Sequence, residues 1–210
     1  MPKGRPRAFD RDLALEQALT EFWEHGYETA SISLLTDAMG LSPASLYAAF
    51  GDKRQLFGEA LERYLQTYGA FTAAAVRDEP TAFGTVARML REAAVAFTRR
   101  GHPRGCLLIT AGTNCTRESS DIKARLRDVR RANTKALERK LAAGQQAGEL
   151  PPDTDTRALA VFYQSILQGM SAQARDGATR AELQRVATIA LDAWPAHATP
   201  ASGRSASTPA

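Results

Sequence analysis

The sequence predicts an all-α protein, and three observations carry that expectation. No stretch alternates apolar and polar residues with period two. Apolar residues recur at i, i+3, i+4 and i+7 nearly throughout. Glycines, prolines and capping residues cut this pattern into about nine helices.

The first helix opens on Asp10 as N-cap and carries one apolar stripe, Leu15, Ala18, Leu19 and Phe22. It ends at Gly26, with His25 in the last turn. A short second helix covers residues 31–39 and stops at Gly40, where a left-handed residue fits. Ser42-Pro43 opens a third, residues 43–50, with a serine N-cap and proline in the first turn. After the Gly51-Asp52 break, Asp52 and Gln55 form a capping box for a long fourth helix over 53–75. Helices are expected at 81–99, 106–113, 121–143 and 155–175. A second capping box, Thr179 with Glu182, opens the last one, which runs to residue 194. Residues 195–210 are rich in Ala, Ser, Thr and Pro and read as a disordered tail. No internal repeat is present.

The 210 residues are 44% apolar, enough to bury a core and against bulk disorder. No apolar run approaches the ~18 residues of a membrane span, and the basic start lacks the apolar stretch of a secretory signal. The expectation is a cytoplasmic protein. Two cysteines, Cys106 and Cys115, make no disulfide framework. The net charge of +4 is unevenly spread. Residues 1–60 hold six basic against nine acidic residues, and residues 61–150 hold sixteen against nine. Overall charge therefore does not locate a nucleic-acid face, but local placement does: Lys3, Arg5 and Arg7 share the opening arm, and Lys53 neighbours Arg54. A P-loop, GxGxxG, HExxH and CxxC are absent, and three scattered histidines suit neither a metal site nor a Ser-His-Asp triad. No cofactor and no enzyme activity are expected.

Residues 31–50 have a helix-turn-helix layout: short helix, glycine turn, short capped helix. Such a second helix can enter a major groove end-on if its first side chains are small, as Ser42, Pro43, Ala44 and Ser45 are. Leu46 and Phe50 would face inward, leaving the Tyr47 hydroxyl for a phosphate. Lys53 in the first turn of the fourth helix opposes the macrodipole unless an anion joins it, which reads as a clamp on the DNA backbone. The bland alternative is two packed helices, a boundary tyrosine and a solubilising arm.

The stretch from Phe22 through Trp23-Glu24-His25-Gly26-Tyr27-Glu28-Thr29-Ala30-Ser31-Ile32, with Met39-Gly40-Leu41-Ser42, Ser45-Leu46-Tyr47, Phe50-Gly51-Asp52-Lys53 and Leu56-Phe57, closely resembles the DNA-binding domain of TetR-family transcriptional regulators. The similarity covers roughly residues 9–57. It implies a three-helix DNA-binding head at 1–55 and a helical ligand-binding and dimerisation body at 56–194. It also implies a homodimer on palindromic double-stranded DNA, acting as a repressor released by a small-molecule inducer or an oxidant or electrophile. By position, DNA contacts fall on Ser31, Ser33, Pro43, Ala44, Ser45, Tyr47 and Lys53, with Lys3, Arg5 and Arg7 along a minor groove. Ala48-Ala49 departs from the larger residues many members carry after the tyrosine.

The last two helices carry apolar stripes, Leu183, Val186, Ala187, Ala190, Leu191 and Trp194 on one and Leu159, Phe162, Tyr163, Ile166 and Met170 on the other. They would pair as a four-helix bundle between subunits, or else only cover their own core. Tyr64, Tyr68, Phe71, Met89, Phe97, Thr110, Asn114, Phe162 and Gln168 are the expected ligand-pocket residues, aromatic with a few polar anchors, though any single one reads more readily as core. Cys106 begins a helix beside Arg104, which would lower its thiol pKa and make it a redox candidate; the alternative is a small buried hydrophobe. The basic run from Lys123 to Lys140 is either a solvated face or an attraction for an acidic ligand or partner.

Overall fold

A computed structural model describes residues 9–195, which form ten helices and no strand. The arm residues Lys3, Arg5 and Arg7, and the tail from residue 196, lie outside the described residues.

Helix α1, Arg11–Thr29, starts as its sequence dictates: the Asp10 carboxylate accepts from the Asp12 and Leu13 amides. The whole predicted stripe is buried. Gly26 breaks the helical path, and one further turn follows. Helix α2 is Ile32–Met39, capped by Ser31, and ends at Gly40 with φ +61°. That left-handed residue reverses the chain at low cost because it has no Cβ. Helix α3 is Pro43–Phe50, and helix α4 is Lys53–Gln66 with the Asp52–Gln55 capping box formed in both directions.

The expected fourth helix is two. Helix α4 stops at Gln66, and α5 restarts at Ala70–Asp78. The Gly69 amide donates to the Tyr64 carbonyl at 2.8 Å, and a Cβ on Gly69 would lie 2.6 Å from the Tyr64 ring. The chain folds over that buried ring, and only glycine leaves room. This split raises the count from about nine to ten.

Helix α6 is Ala82–Ala96, α7 is Leu107–Thr110, α8 is Ser120–Gln146, α9 is Thr156–Arg175 and α10 is Arg180–Asp192. The Thr179–Glu182 capping box is also closed. Two cores hold the molecule. One joins α1–α4 to α7 and the start of α8, centred on Leu19, Phe22, Leu46, Phe57 and Tyr64, and it runs continuously across residue 55. The other joins α5, α6, the end of α8, α9 and α10 around Leu90, Leu137 and Tyr163. No helix among the described residues is long and apolar enough to cross a membrane.

Candidate nucleic-acid interface and sensor cavity

The outward face of the head is built by what the inward face buries. Leu46 is fully buried and Phe50 nearly so, which fixes the roll of α3 about its axis. Pro43 and Ala44 are thereby exposed, and Tyr47 stands 49% exposed with no partner for its hydroxyl among the described residues. Ser31 and Ser33 are exposed at the start of α2. The Ser31 hydroxyl accepts from the Leu34 amide at 3.1 Å and keeps its own proton to donate. Ser45 is half-buried, and its hydroxyl shares a 2.9 Å hydrogen bond with that of Ser42. The candidates of the helix-turn-helix are thus brought onto one surface.

Arg11, which the sequence reading missed, supports that surface from behind. Its guanidinium donates to the Ala49 carbonyl at 3.2 Å, pairs with Glu59 at 2.8 Å and lies 4.3 Å from the centre of the Phe50 ring. It binds the end of α3 to α1 and α4 together. One arginine at the start of an acidic helix gives no such signal in sequence.

Lys53 is held within the head. Its ammonium does not project freely from α4. It donates to the Glu28 carbonyl at 3.2 Å and lies 4.5 Å from the centre of the Tyr27 ring. Burial lowers its pKa, against the opposing pull of Glu28. Lys53 ties α4 to the end of α1, with two N–H donors left over.

The body holds three adjoining cavities. The first, about 560 Å³, lies between α1, α4, α6 and the α6–α7 connection. Trp23, Tyr64, Tyr68, Phe71, Phe97 and His102 make its aromatic wall. Trp23 stacks on His102 at 4.8 Å, and its indole Nε1 is the buried side-chain polar atom without a partner among the described residues. A second cavity of about 50 Å³ shares Tyr64, Phe71 and Phe97 and adds Cys106, Arg130, Asn133, Gln164 and Gln168. A third of about 160 Å³ includes Met89 and shares Asn133 and Gln164 with the second.

Six of the nine expected pocket residues therefore line these cavities, and three do not. The Thr110 hydroxyl turns back onto the Cys106 carbonyl. Helix α7 ends at Thr110, so Asn114 sits exposed on the connection beyond it rather than on a helix running to residue 113. Phe162 points out of the body, 38% exposed. Periodicity identified α9 as amphipathic but not which of its adjacent aromatics, Phe162 or Tyr163, faces inward.

The Cys106 environment also differs from expectation. Arg104 reaches away from the thiol to the Ala174 and Ala178 carbonyls. Tyr64 donates to Sγ at 3.3 Å. Burial dominates and pushes the thiol pKa up, the reverse of the expected lowering. Helix α7 is also a single turn, with little macrodipole to offer. Both cysteines are free thiols.

Comparison with known proteins accounts for nearly the whole chain. The family described as "Bacterial regulatory proteins, tetR family" matches residues 14–60. "Tetracyclin repressor-like, C-terminal domain" matches residues 84–190. The HTH-type transcriptional repressor ComR of Escherichia coli (strain K12) is 37% identical over 92% of both chains. The chain belongs to the TetR family of transcriptional regulators.

Within the TetR family, the HTH-type transcriptional repressor BdcR of the same organism is 28% identical over 90% of this chain and 91% of that protein. A cysteine-substituted mutant of the TetR family transcriptional regulator CifR, complexed with 26bp double-strand operator DNA, superposes with a TM-score of 0.87 and 43% identity. That likeness covers 91% of this chain and all of the other. TetR-family membership makes the chain a DNA-binding regulator rather than an enzyme. The TetR head and body are joined by contacts that the sequence concealed. Arg175 of α9 donates to the Trp23 and Glu24 carbonyls, Thr116 to the Glu28 carboxylate, and Arg54 to Asp121 and the Glu118 carbonyl. Each pairs residues more than 60 apart, a distance at which spacing carries no signal.

Proposed function

We propose that this TetR-family regulator represses transcription as a homodimer, acting in the cytoplasm where its DNA is. Each protomer seats the N-terminal half of α3 in a major groove of a palindromic operator, and a small molecule in the body cavities releases it. The observation that carries this reading is the roll of α3. Leu46 and Phe50 are buried and Pro43, Ala44 and Tyr47 face outward, in a fold matching, at TM-score 0.87, a relative complexed with operator DNA. Ala44 meets a thymine methyl, and Ser31, Ser33, Ser45 and Tyr47 take phosphates or base edges. Lys53 uses its spare donors on a phosphate while anchored on Glu28. The arm residues Lys3, Arg5 and Arg7 add contacts in a minor groove.

Dimerisation is supported by an unpartnered face on the last two helices. Val161 and Phe162 of α9 and Val186 and Ile189 of α10 are exposed, Ile189 to 70%. A Cβ on Gly169 would meet nothing within 4 Å among the described residues, and a glycine there leaves room for a neighbouring helix to approach closely. An apolar surface of this kind suits an isologous four-helix contact.

The test is duplex binding by the full-length protein, using operators selected from a random double-stranded library. Selection should return a palindrome. Binding should weaken steeply with salt, log K falling linearly with log salt at a slope of about −0.9 per phosphate contacted. A failure to enrich any sequence, or salt-insensitive binding, would contradict the reading.

A further inference from the structure

The ligand that acts on this body is left open by the family. The second cavity narrows the choice, on the reading that these cavities hold the releasing molecule. Among the basic run of α8, Lys123, Arg125, Arg127, Arg131, Lys135 and Arg139 are exposed. Arg130 instead turns inward and lines the cavity beside Cys106. Its guanidinium donates to one acceptor, the Leu108 carbonyl, at 2.5 Å. No carboxylate of the described residues pairs with it. A guanidinium has five N–H donors, so most of those on Arg130 remain for a ligand.

The other polar groups of that lining, the Thr72 hydroxyl and three side-chain amides among them, are uncharged. Asn133, Gln164 and Gln168 line the same cavity, and their side-chain amides make no hydrogen bond within the described residues. Three side-chain amides, each with donors and an acceptor, thus line one cavity with a guanidinium that no carboxylate pairs, against apolar walls from Phe71, Leu108 and Leu167. The space there is only about 50 Å³, enough for a small polar head. Across Asn133 and Gln164 it adjoins the cavity of about 160 Å³, walled by Val76, Met89 and Ala136, where an apolar body fits.

We infer that this regulator takes a small organic carboxylate, its acid group on Arg130 and the amides, its apolar body toward Met89. A planar carboxylate matches the guanidinium fork with two parallel hydrogen bonds. It then shares Arg130 with the Leu108 carbonyl. That carbonyl belongs to α7, whose following residue Ala111 accepts from the Tyr27 amide of α1. The acid therefore acts on the contact that joins body to head.

The experiment measures direct binding, without DNA, so it is separable from the repression reading. Calorimetry and thermal shift would compare matched pairs, benzoate with benzamide and phenylacetate with phenylacetamide. The acids should bind at least about tenfold tighter than their amides. Arg130→Gln should erase that preference and Arg130→Lys should keep part of it, while circular dichroism reports whether each variant is folded. If Arg130→Gln does not fold, Gln164→Ala serves in its place and should weaken the acids more than the amides. Equal binding of acid and amide, a preference that survives Arg130→Gln, or no saturable binding of either acid would overturn the inference. Should the acids bind yet leave a selected operator occupied, the repression reading fails in its release step and the carboxylate site stands.

Discussion

Lys53 stands between two roles, and the number of its donors decides how both can hold. The Glu28 carbonyl occupies one N–H and the Tyr27 ring faces the charge. Lys53→Ala should weaken binding to all duplex sequences alike and flatten the salt slope by about one unit. An unchanged slope would leave it an anchor of α4 alone. Cys106 makes a second residue-level test. Its thiol and the Tyr64 phenol that donates to it are both pushed up by burial. An acid with a raised folded pKa holds its proton more tightly in the fold. Its stabilising contribution is therefore full below the unfolded pKa and is lost as pH rises through the folded one. Urea midpoints should fall as pH climbs above about 8.5, the ordinary thiol value. The fall should be shallower in Cys106→Ala. Iodoacetamide should also label Cys106 more slowly at neutral pH than a free thiol, and faster labelling would restore the low-pKa reading.

Helix ends follow local rules, which is why most elements were legible. Asp10, Ser42, Asp52 and Thr179 cap where the sequence placed them, and Ser31 and Asp155, expected as first helical residues, stand one position earlier as caps. The miss between α4 and α5 is instructive, because Gly69 is demanded by a ring five residues upstream and not by a turn signature. Gly69→Ala should lower stability by about 1–3 kcal/mol through overpacking against Tyr64, read from the urea midpoint. A midpoint equal to wild type would show that the ring moves aside without loss. The short α7 was likewise invisible. Its apolar run continues past Thr110, but Gly112 lies against Leu126 and the chain turns there. For the site, small exposed groups on α3 were legible because a two-turn helix with two buried positions has only one possible outward face. The inward turn of Arg130 was not, because a basic run on a long helix looks uniform until the neighbouring elements pack on it.

Across the whole molecule, the core that runs through α1–α4 into α7 and α8 packs head and body against one another. Long-range ties such as Arg175 to Trp23 and Glu24 were not readable from spacing, and they carry the connection that the function needs. Assembly is tested on the open face of α9 and α10. Phe162→Asp with Ile189→Asp should leave each protomer folded, since both side chains are exposed, and yield monomers by sedimentation with operator affinity strongly reduced. A dimer that persists would place the two-fold elsewhere. The account rests most on α3 lying in the major groove, once per protomer. Methylation protection of guanine N7, which lines that groove, reads this directly on a selected operator. Two protected patches separated by about one helical turn, ~10 bp, or a multiple of it, are the expected result. A single patch, or no protection of guanine N7 on an operator that the protein occupies, would contradict it.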